Sequence, residues 1–462
     1  MNFFHWRTKK SAVGVNLAVM PYSSTTNGTR QRALGRARRM ACAAVALLAG
    51  ARAVAQIALP QVQLPAPLDR VTSTLSAVTD PLSQRTETVT GARLAAAREL
   101  IRNNPQTVEA DPLGAPMRRA EVLVLSPADA VLQRALGAGL ELLRRQSLTG
   151  VEAEVVVLRS TTGLSTRDAL AQLRSLDPEG TYDFNHILVT SGSRATAMAS
   201  PPPTIRANPP AVNDRFEVGL IDGGVDIYHP VLKGLRIAQA GCNGLVPLTA
   251  HGTAVASLLV GQSAGFSGAD PGAALLIVDV FCGLPTGGAI DSVAAAIGLL
   301  ALQQVPVVNI SLVGPPNALL AQVIRAAQLR GMMIVAAVGN DGPAAEPLYP
   351  AAYPGVIAVT AVDRNSRVLP EACRGPQVQF AAPGNDLIAA DARGGLAVVR
   401  GTSFAAPVVA GLLAAKYAQP GMDAESALHA LQAEARDLGK PGRDVIYGFG
   451  LVGESLLHNR KY

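Results

Sequence analysis

The sequence predicts an α/β fold: a parallel β-sheet with helices on both faces, preceded by a smaller α/β unit. Three observations point there. From about Phe216 the chain alternates continuous apolar runs with Ala- and Leu-rich stretches. The runs do not alternate apolar with polar residues, as expected of strands covered on both faces. Upstream, residues 120–191 alternate strand-like and helix-like patterns, and a Ser-, Pro- and Ala-rich stretch separates the two regions.

The N-terminal segment sets the charge. Residues 1–55 hold nine Lys or Arg and no Asp or Glu, so the rest of the chain has 31 basic against 34 acidic residues despite a net +6. A nucleic-acid-binding surface is therefore not expected. Arg30, Arg32, Arg36, Arg38 and Arg39 precede an apolar run at 40–50, then Ala53-Val54-Ala55. That order of basic, apolar and small residues reads as an export signal ending near Ala55. The run of eleven residues is short for a bilayer crossing. No later segment reads as a span, so no stable membrane anchor is expected, and the location is periplasmic or secreted. An uncleaved anchor or a basic tail is the alternative.

Residues 56–119 are mixed, with Pro60, Pro65, Pro67 and Pro81, then a helical pattern at 93–102 that breaks at Asn103-Asn104-Pro105. In the 120–191 unit, EVLVLS (121–126) is a strand pattern, and Leu132, Leu136, Leu140 and Leu143 follow at helical spacing. EAEVVVLRS (152–160) is a second strand. Ser165 and Asp168 form a capping box ahead of Leu170 and Leu173, and HILVT (186–190) is a third strand. The order reads β-α-β-α-β. Residues 192–214 form a linker. The third region, 215–457, carries the buried strand runs VGLID (218–222), ALLIVDVF (274–281), VPVVNIS (305–311), MMIVAAVG (332–339) and VIAVTAV (356–362), with helices expected at 291–303 and 318–329.

Four polar residues stand out, and two of them, Asp222 and Asn340, fall at the carboxyl ends of these runs, where ligands bind in such sheets. Asp222 closes VGLID, His251 opens HGTAVASLLVG, Asn340 lies in IVAAVGNDGP and Ser403 lies in GTSFAAP, each expected in a glycine-bearing turn. A serine hydroxyl is a weak nucleophile and needs a neighbouring base. Asp, His and Ser together supply nucleophile, base and orienting acid. Asp226 shares the turn of Asp222 and is expected to stabilise the loop. Ser403 is expected to begin a helix, so that its N–H and the Asn340 amide could bind an oxyanion.

In this order the segments resemble the subtilisin-like serine proteases (subtilases), with DPGAALLIVDVF (270–281), VVNISLVG (307–314), YPAAYPGVIAVTAVD (349–363), VQFAAPG (378–384) and GRDVIYGFGLV (442–452) in support. The resemblance implies a subtilisin-like parallel sheet and a serine endopeptidase acting on polypeptides, with Asp222, His251, Ser403 and Asn340 as its catalytic residues. It implies that Ser311-Leu312-Val313 offers one edge to an extended peptide, and that Ala337-Val338-Gly339 walls the primary pocket. It also makes the 120–191 unit look like a pro-domain that assists folding and inhibits. Two departures stand out: Val313 replaces the usual glycine, and Gly223 replaces the usual Ser or Thr after the aspartate. Sedolisins share a GTS-type serine motif but use a Glu-Asp pair, which His251 and Asn340 argue against.

Of four cysteines, Cys42 would leave with the signal. Cys242 with Cys282 is the preferred disulfide because both flank the histidine segment. The other pairings, and three separate thiols, stay open. No metal ligand spacing and no organic cofactor are read; structural calcium is left undecided. Two other functions fit the residues: a silent peptide-binding protein blocked by its N-terminal domain, and a maturation protease dedicated to one exported partner.

Overall fold

The computed structural model describes residues 95–161, 163–190, 203–211 and 214–458. The expected export signal and residues 192–202, 212 and 213 of the linker lie outside them.

The N-terminal unit opens with helix α1 (residues 95–103), then β1 (Val108–Ala110) and β2 (Pro116–Leu125). Helix α2 (Asp129–Gly137), β3 (Leu140–Leu148), β4 (Ala153–Ser160), α3 (Thr166–Leu176), β5 (Thr181–His186) and β6 (Val189–Thr190) follow. The antiparallel sheet runs β1-β2-β4-β3, and β5 also pairs with β2. Two expectations change here. Leu140 and Leu143 lie on β3, because the helix stops at Gly137 and Gly139 turns the chain at φ 89°. HILVT divides between β5 and β6, so the order gains strands over the simple β-α-β-α-β pattern. The capping box forms: the Ser165 hydroxyl accepts from Asp168 N–H and donates to its carboxylate.

Side chains alternate across this sheet. Val122, Val124, Val156 and Leu158 pack on Leu132, Leu170 and Leu173 of the unit's own helices. Leu123, Val155 and Val157 join the core of the following region, with Ile297, Leu300, Leu320 and Ile324.

That region begins with β7 (Thr204–Arg206), which pairs antiparallel with β10 (Leu245–Pro247). Strands β8 (Val218–Asp222), β9 (Ile237–Gly241), β13 (Leu275–Asp279), β14 (Val307–Ile310), β16 (Met333–Ala337), β17 (Ile357–Val362) and β18 (Val378–Pro383) form one parallel sheet. Its order is β18-β17-β16-β14-β8-β13-β9. Smaller elements are the hairpins β11 (Gln262–Ser263) with β12 (Phe266–Ser267) and β19 (Leu387–Asp391) with β20 (Gly395–Val399), and the short strand β15 (Leu312–Val313). Helices α4 (Ala250–Val260), α7 (Thr402–Tyr417) and α8 (Ala424–Glu434) cover one face; α5 (Ile290–Leu302) and α6 (Ala318–Gln328) cover the other. Strand order reverses beside β8, and crevices at such points lie beyond the carboxyl ends of strands.

Candidate active site

Asp222 is the last residue of β8 and fully buried. One of its oxygens, Oδ1, accepts from the Gly223 N–H at 2.7 Å and faces His251 Nδ1 at 2.9 Å. His251 is not in a turn but in the first helical turn of α4, because Thr249 caps that helix. The Thr249 hydroxyl accepts from Gly252 N–H and donates to the Gly224 carbonyl, both at 3.0 Å. This contact also accounts for Gly223. A Cβ there would lie 2.6 Å from Thr249 Oγ1, so the threonine fills the space that a serine side chain at 223 would take. Asp226 serves its loop, accepting from Tyr228 N–H at 3.1 Å.

Ser403 is the second residue of α7, after Gly401 at φ 135°. Pro407 has no N–H to offer the Ser403 carbonyl, which lies one helical turn before it. The Ser311 hydroxyl takes that carbonyl instead, donating at 2.9 Å, while Ser403 Oγ donates to the Ser311 carbonyl at 3.4 Å. Asn309 Nδ2 donates to Ser311 Oγ at 2.9 Å and steadies the link. The Phe404 ring lies 5.4 Å from the His251 ring, and α4 contacts α7.

Asn340 follows Gly339, which sits at φ 97°. Its Oδ1 accepts from Thr402 N–H at 3.2 Å, which fixes the amide. Asn340 Nδ2 and His251 Nε2 are both buried and have no hydrogen-bond partner among the described residues. A buried donor or acceptor left in this state costs stability unless a bound group completes it.

The expected peptide edge is filled by the chain itself. β6 pairs antiparallel with β15, Val189 opposite Val313 and Thr190 opposite Leu312. On the other side Leu188 N–H donates to the Gly288 carbonyl at 2.9 Å, and Ile187 bridges Ala289. Residues 187–190 thus run between two edges as a middle strand. Leu188 is fully buried over Gly314, where a Cβ would come 2.3 Å from Leu188 Cδ2. Ala337, Val338 and Gly339 are held by Val338 N–H to the Val359 carbonyl at 3.0 Å and Gly339 N–H to Thr402 Oγ1 at 3.2 Å.

Cys242 and Cys282 are joined in a disulfide, and Cys373 is buried outside it. Beside the two bridged cysteines lies Asp279, the end of β13 and the register neighbour of Asp222. Burial, and then the Asp222 charge, push its carboxyl up to about 6, against the lowering pull of the Cys282 and Phe281 N–H donors. Phe404 lies in GTSFAAP and Asp279 in DPGAALLIVDVF, but neither is singled out there; Thr249 and Gly288 lie outside the motif segments, and of these two only Thr249, with its capping pattern Thr249-x-x-Gly252, has a readable signal.

A model of the peptidase S8 (subtilase) family matches residues 214–450. M-protease of Shouchella clausii (strain KSM-K16) is 31% identical over 291 residues, 60% of this chain and 73% of that protein. Subtilisin BL of Lederbergia lenta is 32% identical over 259 residues, 54% of this chain and 94% of that protein. Among solved structures, fervidolysin of Fervidobacterium pennivorans, a keratinolytic enzyme related to subtilisin, superimposes with a TM-score of 0.59 at 21% identity, over 74% of this chain and 61% of its own. The epidermin leader peptide processing serine protease of Staphylococcus aureus gives 0.55 at 16% identity, over 74% and 99%. These two likenesses are of fold. Since the family model takes in just over half of the chain and the sequence relatives agree with it, this chain belongs to the subtilase family of serine endopeptidases.

Proposed function

We propose that the protein is an exported serine endopeptidase, made as a zymogen whose N-terminal unit fills its own substrate groove. The observation that carries the catalytic reading is the buried Asp222–His251 pair, bonded through Nδ1 with Nε2 left unbonded. In the reaction, Ser403 Oγ attacks the peptide carbonyl carbon and its proton passes to His251 Nε2. Asp222 stabilises the imidazolium. Asn340 Nδ2 and the Ser403 N–H take the negative oxygen. Breaking the C–N bond releases the amine, which receives the proton from His251. Water then attacks the acyl ester, giving its proton to His251 and releasing the acid, and Ser403 recovers its proton.

Residues 187–190 support the zymogen reading, because a strand held on both sides is how an extended peptide is recognised. The described strand ends at Thr190, opposite Leu312, and Leu312 adjoins Ser311, the residue whose carbonyl contacts Ser403 Oγ. The bond we assign to self-cleavage is therefore Ser191–Gly192. Export rests on the basic, apolar and small-residue order of the leader. Among the described residues no helix is long and apolar enough to cross a membrane.

A second reading, a maturation protease with a narrow substrate range, is favoured by the closed fit of Leu188 over Gly314 and by Val313 on the groove edge. A peptide library decides between them: cleavage confined to peptides with a branched apolar residue four positions before the scissile bond favours the narrow range. The catalytic claim is tested with a fluorophosphonate, which should label wild type and not Ser403→Ala; equal labelling of both contradicts it.

A further inference from the structure

We propose that Asp279 is a positioning residue for the catalytic pair: a second buried carboxylate beside Asp222 whose negative charge stabilises the imidazolium formed on His251, and so sets the pH range of activity. The proposal rests on the catalytic reading of Asp222, His251 and Ser403 given above.

Asp222 and Asp279 end adjacent parallel strands in the same register, so their side chains leave the sheet at the same level and on the same face. Both are buried, at 0% and 3% exposure. In each, one oxygen is occupied and the other is not. Asp222 Oδ1 takes the His251 and Gly223 contacts; Asp279 Oδ1 accepts from Phe281 N–H at 2.8 Å and Cys282 N–H at 3.0 Å. Oδ2 of both residues is buried with no hydrogen-bond partner among the described residues.

Among the described residues, the elements packed beside Asp279 supply no cation to offset the second charge. β8 presents Asp222, which leads to His251 of α4; β9 (Ile-Ala-Gln-Ala-Gly) has no ionisable side chain. Asp291, on α5, is engaged away from the site with Arg144 and Asn185. Cys242 and Cys282 are bonded to each other. A carboxylate placed for stability would have a cation or a full set of donors. Among the described residues Asp279 has no cation beside it; its donors are the Phe281, Cys282 and Gly224 N–H groups, and the neighbouring Asp222 opposes its ionisation. The imidazolium that His251 becomes during the reaction is the positive charge that this arrangement favours. The disulfide keeps the arrangement rigid, because it ties Cys282, whose N–H holds Asp279 Oδ1, to Cys242 at the end of β9.

Burial raises the Asp279 carboxyl to about 6, so it is neutral at mildly acid pH and ionised in neutral and alkaline solution. The stabilising charge is therefore present only above about pH 6.

The test compares the full chain with Asp279→Asn, which keeps shape and the Oδ1 acceptor but loses the charge. Three readings are taken: fluorophosphonate labelling, kcat/KM from pH 5 to 10, and Tm at pH 5 and pH 8. The expected result is a labelled variant with its acid limb moved to lower pH by about half a unit or more. Its kcat should be several-fold lower at pH 8, and its Tm at pH 8 higher than that of wild type. A superimposable pH profile overturns the proposal. So does a uniform loss of activity at every pH with a lowered Tm, the mark of a structural residue. If Asp279→Asn does not fold, Asp279→Ser gives the same readings. Absence of labelling in wild type itself defeats the catalytic reading, and this proposal falls with it.

Discussion

At Asp222 a single oxygen serves both His251 and the neighbouring backbone, and Gly223 leaves the room that Thr249 fills. Gly223→Ser would drive its Cβ into Thr249. We expect it to cost about 1–3 kcal/mol in denaturant melts, as overpacking does, and Thr249→Ala to relieve much of that cost in the double variant. Asn340→Ala should lower kcat about 10²- to 10³-fold with KM little changed, a magnitude taken over from the oxyanion-hole asparagine of subtilisin, a member of the same family. Steady-state kinetics on a peptide substrate checks it. Asp279 adds a pH dependence to stability. Its folded value, about 6, lies above its ordinary 3.8, so stability is full below 3.8 and lost as pH rises toward 6. Asp279→Asn should therefore gain on the order of 2–3 kcal/mol over wild type at pH 8 and almost nothing below pH 4, measured by urea titration at the two pH values.

Among the elements, the strand at 187–190 occupies the edge of β15. Leu188→Ala in a Ser403→Ala background, where no cleavage can intervene, should destabilise the chain by about 2–4 kcal/mol, because the residue is fully buried. A thermal melt reads this as a fall in Tm. The elements differ in how legible they were. The runs at β8, β13, β14, β16 and β17 announce buried parallel strands because both faces are covered and apolar residues dominate, with Asp222, Asp279, Asn309 and Thr360 as the polar exceptions. β9 does not, since Ile-Ala-Gln-Ala-Gly is short and its buried Gln239 bonds the Val225 backbone. β3 misleads, because leucines at 136, 140 and 143 satisfy helical spacing while the glycines at 137 and 139 end the helix. At the site, Asp222, His251, Asn340 and Ser403 stand in motifs of their own. Asp279 and Gly288 matter only through strand register and a long-range backbone bond, which local patterns do not encode.

On the scale of the whole molecule, the N-terminal unit is a wall of the peptidase core. Leu123, Val155 and Val157 lie against Ile297, Leu300, Leu320 and Ile324, and a Cβ at Gly150 would touch the α5 backbone at 2.2 Å. Arg144 adds a polar clasp, bonding Glu121 of its own unit and Asp291 of α5. Removing the unit uncovers that apolar face. Residues 203–462 expressed alone should therefore refold poorly and bind an apolar dye, and adding residues 95–191 in trans should restore folding. Whether the protein is a self-processing serine protease is decided by intact mass with N-terminal sequencing of wild type and Ser403→Ala after incubation. We expect a wild-type fragment beginning at Gly192, labelled by a fluorophosphonate, and an uncut, unlabelled variant. Wild type that stays whole and unlabelled, or a variant trimmed at the same bond as wild type without added protease, would contradict self-processing by Ser403.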